Sequence, residues 1–237
     1  IICEKLIANL SKGREFVNII DLGCGTGFLT ELLLQKFPAA KILAVDISSA
    51  MVETLETRLK TKCPNLNTLV ADASTLKLSQ KFDLITCSSS LQWMIPLENT
   101  INHWKELLAP NGNILIATML EGTLKELKEI QKELFPEISN PVDLPTWETL
   151  NQAFIQNNFK YLWKKEETLL EYHPNASSFF SHLKALGVTS SNKENVGAKL
   201  NSEQIKTLIF EYDRRYQADS GKVYASYQVG MCELGKK

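Results

Sequence analysis

Ile19-Ile20-Asp21-Leu22-Gly23-Cys24-Gly25-Thr26-Gly27-Phe28 opens, and Lys41-Ile42-Leu43-Ala44-Val45-Asp46 closes, the stretch that decides how this chain folds. Residues 16–21 form a short apolar run ending in an acid. Three glycines follow, then a segment with Leu29, Leu32 and Leu33 on one helical face. The order reads as buried strand, tight turn, helix and second strand. Glycines let the backbone bend sharply and leave no Cβ in the path of a ligand. Exposed amides at the start of the helix can meet an acidic ligand group. Asp46 ends the second strand, where a carboxylate can accept from both hydroxyls of a ribose, and Ile47 follows it. Asp21 stands ahead of the turn, placed to hold Gly23, Cys24, Gly25 and Gly27 in position and to meet the amine of an amino-acid tail.

Two adenosine-containing ligands compete for such a turn. A dinucleotide fingerprint needs glycine at the first, third and sixth positions. Counted from Gly23, the third is Gly25 but the sixth is Phe28. The D-x-G-x-G-x-G form is instead the one that fits S-adenosylmethionine, whose tail ends in an amine and a carboxylate rather than a pyrophosphate. Asp72 and the amide of Ala73, past a third strand, are placed for the adenine amino group and a ring nitrogen. Ser88, Ser89 and Ser90 follow a fourth strand; Ser88 is expected to meet the cofactor, and the three leave room for an acceptor beside it. The Asn-Pro-Pro-Tyr type of sequence used there for amino groups of nucleic-acid bases is absent.

Outward from this stretch, strands are expected at residues 67–71, 82–87 and 113–119. Helices are expected from Ser48 to about residue 61 and at 97–108, with a stop at Pro110 and a turn at Asn111-Gly112. Short apolar strands alternating with helices imply a parallel sheet covered on both faces. Further helices are expected at 123–134, 146–157, 176–186 and 202–215, and long strands at 161–172 and 222–232. The whole, residues 1–237, reads as a single domain with a helical insert at about 173–220.

Composition is that of a globular protein: 44% hydrophobic, 22% charged, formal net charge −1. That balance argues against a dedicated nucleic-acid binder. Residues 160–237 are mildly basic, with 12 Lys and Arg against 9 Asp and Glu. Cys3, Cys24, Cys63, Cys87 and Cys232 are scattered, with neither zinc-ligand spacing nor a disulfide framework, so no metal is expected and a cytoplasmic setting is. No apolar run reaches the ~18 residues of a membrane span, and no secretory signal is present.

Ser89-Ser90-Leu91-Gln92-Trp93 resembles the Asn/Ser-x-x-Leu-Gln-Trp segment of the malonyl-acyl-carrier-protein O-methyltransferases of biotin synthesis, within the class I S-adenosylmethionine-dependent methyltransferases. Phe180-Ser181-His182-Leu183-Lys184-Ala185-Leu186-Gly187-Val188 and Gly221-Lys222-Val223-Tyr224-Ala225-Ser226-Tyr227-Gln228-Val229 are similar to two further stretches of that family. The resemblance implies an α/β, Rossmann-like fold: a seven-stranded, mostly parallel sheet with an antiparallel last strand and a small helical lid inserted before it. It implies methyl transfer to the free carboxylate of a malonyl thioester carried by an acidic acyl carrier protein, with neither nucleic acid nor membrane as partner. A carboxylate with pKa near ~4 is already a nucleophile at pH 7, so no general base is expected. Leu91, Gln92, Trp93, His182 and Lys184 are the expected acceptor residues, and Arg214 and Arg215 are further candidates for gripping its carboxylate. Because the chain opens at Ile1 without Met, the N-terminal helix that closes over the cofactor in that family is expected to precede Ile1 or to be cut within it. A small-molecule carboxyl methyltransferase of the trans-aconitate type and a non-catalytic S-adenosylmethionine-binding assembly factor share the same core and stand as alternatives.

Overall fold

The computed structural model of the chain describes residues 1–60, 63–137, 143–185 and 200–237. Its strands are β1 (Asn18–Leu22), β2 (Lys41–Asp46), β3 (Leu66–Val70), β4 (Phe82–Ser88), β5 (Leu108–Met119), β6 (Phe159–His173) and β7 (Val223–Lys236). They form one sheet in the order β3-β2-β1-β4-β5-β7-β6. β1 pairs in parallel with β2 and β4, β2 with β3, and β4 with β5; β7 runs antiparallel to β5. This is the expected seven-stranded, mostly parallel sheet with an antiparallel last strand. Strand order reverses between β1 and β4, so a crevice opens beyond the carboxyl ends of these two strands. The glycine turn and the three serines both lie there.

The helices are α1 (Ile2–Ala8), α2 (Phe28–Lys36), α3 (Ser49–Leu55), α4 (Leu97–Leu107), α5 (Lys125–Leu134), α6 (Trp147–Gln156), α7 (Ala176–Ala185) and α8 (Ser202–Arg215). Their ends follow the capping chemistry of the sequence. Ser48 Oγ accepts from the Met51 amide at the start of α3, and Asn201 and Gln204 form a reciprocal capping box on α8. α4 buries Thr100, Ile101, Trp104 and Leu107, a spacing that keeps one face on the sheet. His103, on the same helix, sets Nδ1 2.8 Å from the Asn99 carbonyl.

Two compact units share the chain. One holds Ile1–Leu120, Pro145–Glu166 and Val229–Lys237; the other holds Glu121–Leu144 and Glu167–Gln228. The first is built on Ile20, Leu22, Ile85, Cys87, Trp104, Ile114, Ile116 and Phe154. The second has its own core of Ile130, Phe179, Leu183, Leu208, Tyr212 and Val223, with the Phe179 and Tyr212 rings 5.0 Å apart. It takes in α5 as well as α7 and α8, more than the insert expected at 173–220. Leu186, Gly187 and Val188 of the family-like stretch lie outside the described residues.

Several local expectations need correction. The turn at Asn111-Gly112 is an irregularity inside β5: Phe82 pairs with Leu108 and Leu84 with Asn113, so the intervening residues bulge. Arg14, distant in sequence, holds that bulge by donating to the Asn111 carbonyl and to Asn113 Oδ1, each at 2.5 Å. The helix after Ser48 gives way to a π-helical turn at Glu56–Lys60, and α5 starts two residues later than expected, behind a left-handed Leu124. α1 and the 3₁₀ turn Leu91–Trp93 were not expected from periodicity, which short segments scarcely display.

Trp104 is wholly buried and donates from Nε1 to the Ala73 carbonyl at 2.9 Å. Trp104→Phe leaves that carbonyl unpaired and opens a gap. The expected loss is about 2–3 kcal/mol, read as a lower denaturant midpoint; an unchanged midpoint would refute the bond's contribution.

Candidate cofactor and acceptor site

The turn after β1 is fixed from the strand beside it. The amides of Gly23 and Cys24 both donate to the Val45 carbonyl, at 2.8 and 2.9 Å. Asp46, one residue on, accepts from the Gly25 amide at 2.8 Å on one oxygen and from the Ser48 amide at 2.9 Å on the other. Its carboxylate thus holds the turn and the entry to α3 together. Gly23 has φ +69°, and a Cβ there would lie 2.4 Å from Ser90 Cβ. Gly25 has φ +53°, and a Cβ there would project into open space. One glycine is required by packing. The other leaves a bare backbone face.

Asp21 is 1% exposed, and its oxygens accept from the hydroxyls of Thr30 at 2.6 Å and Thr86 at 2.9 Å. Burial pushes its carboxyl up to about 6, the two hydroxyls pull it back, and the nearby Asp46 charge adds to the rise. The neighbouring Cys24 and Cys87 thiols are pushed well above their usual range by burial and by the same carboxylates. Neither thiol is ionised near pH 7.

Asp72 accepts from the Ser74 amide at 2.8 Å and the Ser74 hydroxyl at 2.7 Å. Ala73 is buried beside it and anchored through its carbonyl to Trp104. Ile47 is 71% exposed next to Asp46, an apolar surface at the strand tip. A bare backbone face at Gly25, carboxylates at the tips of β2 and β3 and an exposed Ile47 suit the tail, ribose and adenine of S-adenosylmethionine. Asp46, Ile47, Asp72, Ala73 and the turn from Gly23 to Gly27 are the residues that would hold it.

On the acceptor side, Ser88 Oγ accepts from the Cys3 thiol of α1 at 3.5 Å. Ser89 has φ +58°, and its carbonyl accepts from Gln92 Nε2 at 2.9 Å. Gln92 Oε1 accepts from the Thr118 hydroxyl at 2.9 Å. Ser90 Oγ donates to the Gly23 carbonyl at 3.0 Å. Leu91, expected at the acceptor, is 1% exposed and belongs to the core. Gln92 likewise spends its amide on Ser89 and Thr118. Trp93 keeps 43% of its surface exposed and can wall a pocket.

His182 and Lys184 lie on α7, in the second unit. His182 Nε2 stands 3.5 Å from Glu171, a carboxylate that opposes an incoming anion at that nitrogen. Arg214 is paired with Glu211, and Arg215 with Glu133 and Glu211. Thr30, Thr86, Thr118 and Arg58 carry no sign of these roles in the sequence. Arg58 donates to the carbonyl of Thr26 inside the glycine turn. Thr30 lies 9 residues from its partner, and Thr86, Thr118 and Arg58 lie 65, 26 and 32 from theirs, spacings that leave no local signal.

Two outcomes test this geometry. Gly25→Ala is expected to cost only about 1–2 kcal/mol of backbone strain yet to weaken S-adenosylhomocysteine binding at least tenfold by calorimetry. Gly23→Ala should lose about 3 kcal/mol or more and regain part of it in the Gly23→Ala, Ser90→Gly pair. Similar stability losses for both single variants would contradict the assignment of the bare face. For Asp21, an unfolded carboxyl titrates near ~3.9 and the folded one near 6. Its contribution to stability is therefore complete below about pH 4 and is lost as pH rises through 6. Asp21→Asn should gain stability over the parent across that interval, reaching about 1–3 kcal/mol and then staying level. A gap independent of pH would show that Asp21 is not titrating there.

The sequence pattern of the methyltransferase domain family matches residues 19–112. The malonyl-[acyl-carrier protein] O-methyltransferase of Priestia megaterium is 30% identical over 248 residues, covering 98% of this chain and 88% of the relative. That of Acetivibrio thermocellus is 30% identical, covering 96% and 82%. Among solved structures, the YcgJ protein of Bacillus subtilis superposes with a TM-score of 0.68 at 14% identity over 99% and 98% of the two chains. Geranyl diphosphate C-methyltransferase of Streptomyces coelicolor gives 0.60 at 14% identity over 99% and 78%. At such identities these two speak for the fold alone. With the full-length relatives, the glycine turn and the sheet order in agreement, the chain belongs to the malonyl-[acyl-carrier protein] O-methyltransferase family of S-adenosylmethionine-dependent enzymes.

Proposed function

We propose that the enzyme methylates the free carboxylate of a malonyl group carried on an acidic acyl carrier protein, a step in making the biotin precursor. The observation that carries this reading is the match to malonyl-[acyl-carrier protein] O-methyltransferases over almost the whole chain. Bound S-adenosylmethionine supplies a methyl already made electrophilic by a sulfonium charge. The protein's task is then to hold two reactants in line and exclude water, where proximity can lower a barrier by roughly 7–11 kcal/mol.

The residues around the crevice suit that task. The Ser88 to Trp93 segment carries no charged side chain. Cys24 and Cys87 stay protonated, so neither competes with the acceptor carboxylate as an anion. Asp21 is sealed by the hydroxyls of Thr30 in α2 and Thr86 in β4, which keep it off the acceptor. Asp46, Ile47, Asp72 and Ala73 hold the adenosine, and Ser88 and Trp93 border the acceptor. The basic tilt of residues 160–237, with 12 cationic against 9 anionic side chains, favours an acidic carrier. The five free cysteines are in keeping with a reducing cytoplasm. Among the described residues no helix is long and apolar enough to cross a membrane.

The test is a radiolabelled methyl-transfer assay run side by side on malonyl carrier protein, free malonate and trans-aconitate. A methyl ester on the carrier-bound malonyl group, with little label on either free diacid, is the expected result. Faster labelling of trans-aconitate would replace the acceptor, and cofactor binding without any turnover would replace the activity.

A further inference from the structure

Arg58 comes from the π-helical turn Glu56–Lys60 and reaches the opening of α2 with three contacts at once. One guanidinium nitrogen donates to the Thr26 carbonyl, in the middle of Gly25-Thr26-Gly27. The other donates to Glu31 Oε2 at 2.7 Å. The guanidinium also lies over the Phe28 ring, 4.7 Å from its centroid, on a side chain otherwise 66% exposed. α2 begins at Gly27 with no side-chain cap, so the end of the turn nearest the helix is held by the Gly27 amide on the Cys24 carbonyl and by Arg58. The turn residues Gly23, Gly25 and Gly27 all have positive φ, a conformation that free glycine adopts only as one among many.

Asp46 fixes this turn from the inside, through the Gly25 amide. Arg58 fixes it from the outside, through the next carbonyl. A planar fork suits this purpose, since it can serve an oxygen, a carboxylate and an aromatic face together. Arg58 sits in a π-helical turn, a feature that recurs at functional sites.

We infer that Arg58 is a positioning residue for the cofactor: it preorganises the glycine turn, and its removal lowers the fraction of molecules ready to bind. Apparent affinity scales with that fraction. The inference rests on the cofactor assignment, not on the identity of the acceptor.

The test compares the parent protein with Arg58→Met, Arg58→Lys and Lys60→Met by calorimetric titration with S-adenosylhomocysteine and by amide hydrogen exchange. Lys60 sits on the same turn and pairs with Glu56, so its variant controls for the loss of one positive charge. Arg58→Met is expected to bind about tenfold more weakly if the ready fraction falls to roughly a tenth. Faster exchange should be confined to residues 25–28. Arg58→Lys, which keeps a donor for Thr26, should recover most of the affinity, and Lys60→Met should stay within about twofold of the parent. In turnover assays the KM for S-adenosylmethionine rises while kcat at saturation holds. Equal affinity of parent and Arg58→Met overturns the inference alone, as does faster exchange spread over the whole chain. Failure of the parent to bind S-adenosylhomocysteine overturns the cofactor assignment and this inference with it. If Arg58→Met does not fold, Arg58→Gln takes its place: about threefold weaker binding with the same confined exchange supports the inference, and parental values overturn it.

Discussion

The Asp46 carboxylate is the constraint on which the remainder of the site depends. Its two oxygens receive the amides of Gly25 and Ser48, so one side chain sets the turn after β1 and the start of α3. Because β1 and β2 are paired in register from Asn18 with Lys41 to Leu22 with Val45, the carboxylate stands level with the turn it serves. Neighbouring groups extend the arrangement. The Asp46 carbonyl receives the Ala71 amide, which ties the approach to Asp72 and Ala73 to the same strand end. The Asp46 carboxylate, the glycine turn and the segment leading to Asp72 are therefore one hydrogen-bonded assembly rather than three separate features.

Electrostatically the crevice is quiet. The one buried acid near the turn is masked by Thr30 and Thr86, and the thiols beside it are held neutral by burial. A carboxyl acceptor brings its own charge and needs no proton removed.

How much of this was legible in the sequence follows from the range of each interaction. Asp21 to Asp46 could be read because strand, turn and helix are local, and glycine spacing reports directly on backbone conformation. The strands of the sheet and the capped helices were legible for the same reason. Leu91 and Gln92 were placed at the acceptor because they adjoin it in sequence. Folding turns Leu91 into the core and spends Gln92 on Thr118, a partner on another strand. Arg14 and Arg58 belong to no motif in the sequence. Their partners, Asn113 and Thr26, are remote in the chain, and periodicity carries no trace of such pairs. The Glu171 carboxylate that faces His182 belongs to β6, and nothing in the sequence around His182 reports that pairing.

The packing of Ser90 against Gly23 has an evolutionary corollary. With 2.4 Å between Ser90 Cβ and the point where a side chain would start on the glycine, neither position can enlarge without displacing the other. Trp93 and Ile95, further along the same segment, are 43% and 80% exposed and have the space to vary that Gly23 lacks.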